Sequence, residues 1–184
     1  MSETIYIDEK STDTQLKIET RYNNVRISIE GSKSFRDIMT ALSLTSHVDV
    51  EGVKISHGVF DAVKSIWDEL WMSIISYGKN VSMVVSGHSL GGGIAQVVAY
   101  EFLRRGYNNI DLVLTGSIRV GNRAFKRYLE QGCKSIMWQD YGNDPVTLLW
   151  PWKKRVGTIN KIKPRTFPWL DFDLVNGAHM RYWD

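Results

Sequence analysis

Strands alternating with helices predict an α/β domain with a mainly parallel sheet and helices on both faces. Three observations carry this. Residues 81–86 (VSMVVS) and 110–115 (IDLVLT) are short apolar runs rich in β-branched side chains. Amphipathic stretches at helical spacing lie between such runs. A glycine-rich turn around a serine, Gly87-His88-Ser89-Leu90-Gly91, joins one strand to the helix after it.

Residues 5–7 and 16–20 are short candidate elements, and 25–29 (VRISI) alternates as a strand should. Gly31-Ser32-Lys33-Ser34 breaks that strand. Over 34–44, Phe35, Ile38, Met39 and Leu42 recur at helical spacing, and Ser34 suits an N-cap. A short segment at 53–55 precedes a long helix over 60–77, whose stripe is Val63, Ile66, Trp67, Leu70, Trp71 and Ile74. Residues 89–105 form a second helix, with Arg104 and Arg105 in the last turn and Gly106 as a stop. A helix over 125–132, a strand at 135–139, a turn at 140–145 and edge strands near 156–162 follow, then a loop to His179.

The chain has 184 residues, enough for one domain spanning 1–184 with a sizeable core. Its hydrophobic content of 43% and charged content of 23% are those of a soluble globular protein. No apolar run reaches the length of a membrane span. The polar start MSETIYIDEKSTD lacks the basic and apolar regions of a signal peptide, and one cysteine, Cys133, excludes an internal disulfide. Together these predict a cytoplasmic protein, or one without a standard signal peptide. No metal-ligand cluster, cofactor motif or repeat is present in the sequence.

The net charge is +3, unevenly spread. Residues 145–170 carry Lys153, Lys154, Arg155, Lys161, Lys163 and Arg165 and no acid, interleaved with Trp150, Trp152, Phe167 and Trp169. That composition suits peripheral contact with an anionic membrane or, equally, a solvated loop whose aromatics close the core. Nucleic acid is not expected as a partner, and oligomeric state is not legible.

A G-x-S-x-G turn between strand and helix is the form of a nucleophile elbow, which exposes a serine hydroxyl at the strand's carboxyl end. A serine needs a neighbouring base to react. Of His47, His57, His88 and His179, only His179 follows Ser89, as the order Ser, acid, His requires. Among the six aspartates after Ser89, Asp140 and Asp144 follow the strand at 135–139, where the acid is expected. Asp144, in the tight turn Asn143-Asp144-Pro145, is preferred, with Asp140 in reserve. Its role is to orient the imidazole and stabilise the imidazolium. The Leu90 N–H is one oxyanion donor by the geometry of the elbow, and Ser32, directly after the strand 25–29, is the candidate for the second.

These segments resemble the class 3 lipase family. Gly31-Ser32 is similar to its oxyanion segment, His57-Gly58-Val59-Phe60 to its V-H-x-G-F stretch, and Gly87-His88-Ser89-Leu90-Gly91-Gly92 to its elbow. Residues 116–122 with Phe125 resemble G-x-P-R-V-G-[ND]-x-x-F, with Ile118 in place of the proline; Glu30 stands where arginine is common. Asn143-Asp144-Pro145-Val146 resembles the acid turn and His179 the late histidine. The resemblance implies an α/β-hydrolase fold, ester hydrolysis through an acyl-serine by Ser89, Asp144 and His179, no cofactor or metal, and 34–44 as a lid helix. The expected substrates are acyl esters, most of all lipids. The alternatives are a phospholipase at an anionic membrane and a non-catalytic lipase-like interaction protein.

Overall fold

In the strand NVRISI, Val25, Ile27 and Ile29 alternate with Asn24, Arg26 and Ser28, so one face is apolar and the other polar. The same alternation recurs across the sheet of the computed structural model, which describes residues 2–12, 14–30, 47–141, 144 and 153–162. The strands are β1 (Ser2–Glu9), β2 (Thr14–Arg21), β3 (Asn24–Ile29), β4 (His47–Val50), β5 (Val53–Ser56), β6 (Ser82–His88), β7 (Ile110–Thr115), β8 (Ser135–Tyr141) and β9 (Thr158–Ile162). The helices are α1 (His57–Ile74), α2 (Leu90–Arg104) and α3 (Arg123–Gly132). Among the described residues, seven strands form one sheet in the order β1-β2-β3-β6-β7-β8-β9, and β4-β5 is a separate hairpin. β1, β2 and β3 run antiparallel, while β3, β6, β7, β8 and β9 are parallel.

Register places like with like. Ile27 lies opposite Val85 and Val85 opposite Leu112, a buried row, while Ser28 lies opposite Ser86 and Ser86 opposite Val113, a half-buried one. Each step from β3 to β6, β7 and β8 moves one strand along the sheet through a helical connection. Right-handed crossovers of this kind stack their helices on one face. The middle helix, α2, is buried along its whole length from Leu90 to Phe102, because sheet, α1 and α3 surround it. Trp67 and Trp71 of α1 meet Phe102 at ring distances of 5.1 and 6.3 Å, and Tyr100 meets Phe125 of α3 at 5.4 Å. A helix on the opposite face is not among the described residues, and the candidate lid at 34–44 lies outside them.

Three boundaries differ from the sequence expectation. β1 and β2 are longer, because polar partners such as Asp8–Gln15 and Lys17–Ser28 weaken the apolar pattern without interrupting pairing. α1 begins at His57 rather than Phe60, with Ser56 as its N-cap residue. β8 continues to Tyr141, so Asp140 belongs to a strand and not to a turn.

Candidate active site

β6 delivers the chain to Ser89 at the carboxyl end of the sheet. Ser89 adopts φ 57° and ψ −121°, a backbone conformation that costs a non-glycine residue about 1–3 kcal/mol. The surroundings impose it. The Ser89 N–H donates to Thr115 O at 3.0 Å, and the Ser89 carbonyl accepts from Gly93 N and Ile118 N, each at 3.3 Å. Two close approaches explain the flanking glycines. A Cβ on Gly87 would strike the Gly91 backbone, and one on Gly91 would lie 2.5 Å from the Ile29 and Glu30 carbonyl oxygens at the end of β3. The turn is therefore sharp enough to bring helix, β6 and β3 into backbone contact.

Ser89 is 1% exposed, and its Oγ has no hydrogen-bond partner among the described residues. Next to it, the His88 ring nitrogen Nδ1 lies 3.0 Å from Thr115 O, which fastens the elbow to β7. Leu90 is the first residue of α2, and its N–H is among those that a helix cannot satisfy internally. Ser89 and the candidate donor at Leu90 are thus brought together. Ser32 and His179 lie outside the described residues.

The two candidate aspartates separate clearly. Asp140 faces the core, accepts from Trp138 Nε1 at 3.0 Å and pairs with Arg155 at 2.7 Å, so both carboxylate oxygens are engaged. Its role is to hold β8 and the 153–156 segment together. Asp144 lies beyond the carboxyl end of β8, at the same end of the sheet as Ser89, and is 1% exposed.

Among the described residues of the basic stretch, Lys153 and Arg155 are engaged within the fold, while Lys154 is exposed. Lys153 is 3% exposed and donates from Nζ to Ser56 Oγ at 3.1 Å, and Arg155 is the partner of Asp140. Burial lowers the Lys153 amine to about 8. Sequence reasoning also missed Gln96, a fully buried polar residue in α2 that bonds to Ser117 and Ile118. A glutamine on the apolar side of a helix, level with a glycine-rich loop, was the available signal.

Residues 26–154 match the family model of Lipase (class 3), 129 of the 184 residues. This chain belongs to the class 3 lipase family. Secreted mono- and diacylglycerol lipase 1 of Fusarium solani is 32% identical over 134 residues, covering 68% of this chain and 39% of that protein. Secreted mono- and diacylglycerol lipase A of Penicillium cyclopium is 27% identical over 151 residues, covering 78% and 49%. The lipase-family chain thus spans less than half the length of these curated relatives. Among solved structures, lipase II from Rhizopus niveus superposes with a TM-score of 0.76 at 20% identity, over 89% of this chain and 67% of that one. A triacylglycerol lipase whose catalytic centre is formed by a serine protease triad superposes at 0.73 and 24% identity, over 86% and 65%. These likenesses establish the α/β-hydrolase fold.

The relatives overturn one expectation. They are secreted enzymes, which points to an extracellular protein and contradicts the cytoplasmic location. A lone cysteine excludes an internal disulfide in any compartment, so it does not report a reducing one.

Proposed function

We propose that this lipase-family chain, read as one domain over 1–184, is a serine carboxylic-ester hydrolase acting on lipid esters. The observation that carries the reading is Ser89: a strained, buried serine whose hydroxyl has no hydrogen-bond partner among the described residues, between the β6 strand and the α2 helix. In this reading, Ser89 Oγ attacks the ester carbonyl carbon while His179 takes its proton. The carbonyl oxygen becomes an oxyanion, held by the N–H groups of Leu90 and Ser32. The C–O bond to the alcohol then breaks, and His179 returns the proton to the leaving oxygen. Water repeats the sequence on the acyl-serine, releasing the carboxylic acid and restoring Ser89. Asp144 orients the imidazole and stabilises its charged form. The mono- and diacylglycerol lipases among the relatives make partial glycerides the first substrates to try. A lid at residues 34–44, which lie outside the described residues, is part of the same reading.

Hydrolysis of p-nitrophenyl esters of graded chain length tests the proposal. Wild type should turn over at least one of them, and Ser89→Ala should lose at least about 1,000-fold, since removing a triad nucleophile costs up to about a million-fold. Equal rates in the two proteins would sink the enzyme reading and leave an interaction protein in its place.

Peripheral contact with an anionic lipid surface is a narrower element of the same reading. It now rests on the exposed Lys154 together with Lys161, Lys163 and Arg165. Sedimentation with phosphatidylserine vesicles should fall with salt and with replacement of these four by Gln. Binding unchanged by both counts against it.

A further inference from the structure

We propose that Gln96 is a positioning residue for the oxyanion donor, acting through the amide of Ile118; the proposal rests on the hydrolase reading of Ser89. The starting point is one peptide group. The Ser89 carbonyl and the Leu90 N–H belong to the same planar unit, so fixing the direction of one fixes the other. The carbonyl accepts from Gly93 N, a bond along the helix, and from Ile118 N, which comes from outside it. Ile118 therefore sets, from the loop after β7, how the Leu90 N–H is aimed.

Gln96 holds that loop. Its Nε2 donates to Ile118 O at 2.9 Å and Ser117 Oγ at 3.0 Å, and lies 3.3 Å from Gly92 O. Ser117 Oγ adds a bond to Ile118 O at 3.1 Å. Ser117 also packs so closely on the first turn of α2 that a Cβ on Gly92 would lie 2.5 Å from its hydroxyl. The loop, the elbow and the second turn of α2 are thus one hydrogen-bonded block.

Two features speak for positioning rather than stability. Gln96 Oε1 is buried with no hydrogen-bond partner among the described residues, a penalty that an apolar side chain of similar volume would avoid. Ile118 occupies the position where the motif it resembles has proline, and proline has no N–H to donate. The external bond to the elbow peptide is therefore a device of this chain's own sequence.

The test compares wild type, Gln96→Met and Ile118→Pro in p-nitrophenyl butyrate hydrolysis and urea unfolding. Gln96→Met keeps the volume and leaves the Ser117–Ile118 bond in place; Ile118→Pro removes the N–H together with a buried isoleucine side chain, so its kcat is read against its loss of stability in urea. Both variants should unfold cooperatively, hold KM within about twofold and lose kcat about tenfold, less than the 100- to 1,000-fold of losing a donor outright. A trifluoromethyl ketone, whose serine adduct carries the oxyanion, should weaken by a similar factor. A merely structural role would not tie ketone affinity to kcat. Unchanged kcat in folded Gln96→Met overturns the proposal, and Ile118→Pro decides if the methionine variant fails to fold. Wild type that hydrolyses no ester overturns the hydrolase reading, and this one with it; an active wild type with an unaffected Gln96→Met overturns this one alone.

Discussion

Ser89 is held in its strained conformation from three directions, by Thr115, Gly93 and Ile118. At the same scale, Lys153 shows how far composition can mislead. Read as one of six surface cations, it is buried against Ser56. Its pKa of about 8 lies below the 10.5 of an exposed lysine. Below pH 8 the amine is protonated in both states, and its desolvation is a constant cost to the fold. Between about 8 and 10.5 the unfolded chain keeps the proton and the folded chain does not, so this residue makes stability rise with pH. Urea unfolding at several pH values should show wild type gaining on Lys153→Met across that window. A constant difference between the two proteins would refute the assignment.

At the scale of elements, α3 shows local sequence and tertiary position agreeing. Asn122 caps it, accepting from Phe125 N at 3.0 Å, while its Nδ2 donates to Gly52 O at 3.0 Å and its backbone N–H to Lys54 O at 3.0 Å. One side chain starts a helix and ties it to the β4-β5 hairpin. Asn122→Ala should cost about 1–2 kcal/mol in urea unfolding. Asn122→Asp, which keeps the cap acceptor and loses the donor, should cost less; the reverse order would show that the tie to Gly52 matters more than the cap.

The strands β3, β6 and β7 and the helix α2 were readable because apolar periodicity and glycine placement are local signals. The ends of β1, β2 and β8 were not, since pairing with a neighbour extends a strand through polar residues that no local pattern marks. The sharp turn at Ser89 and the helix start at Leu90 were readable from glycine placement. The engagement of Asp140 was not, because its partners Trp138 and Arg155 meet it only once β8 and the 153–156 segment have packed. Gln96 belongs to the same class: its partners are 21 and 22 residues away.

For the whole molecule, the strand order agrees with the α/β-hydrolase fold of the solved lipases. Burial, helped by Asp111, pushes the Cys133 thiol up to about 12. It stays protonated and a poor nucleophile, which suits an oxidising exterior as well as a reducing interior. The lone cysteine thus fits the location that the relatives indicate.

The contacts that bend the elbow also have a direction in time. Thr115 and Ile118, which grip Ser89, come 26 and 29 residues later in the chain. On a ribosome, Ser89 emerges as an ordinary relaxed serine and remains one until the following strand has docked. Under the hydrolase reading, a half-made or partly unfolded chain therefore carries no activated hydroxyl. Reactivity under that reading waits for β7 and the loop after it to dock beside the elbow.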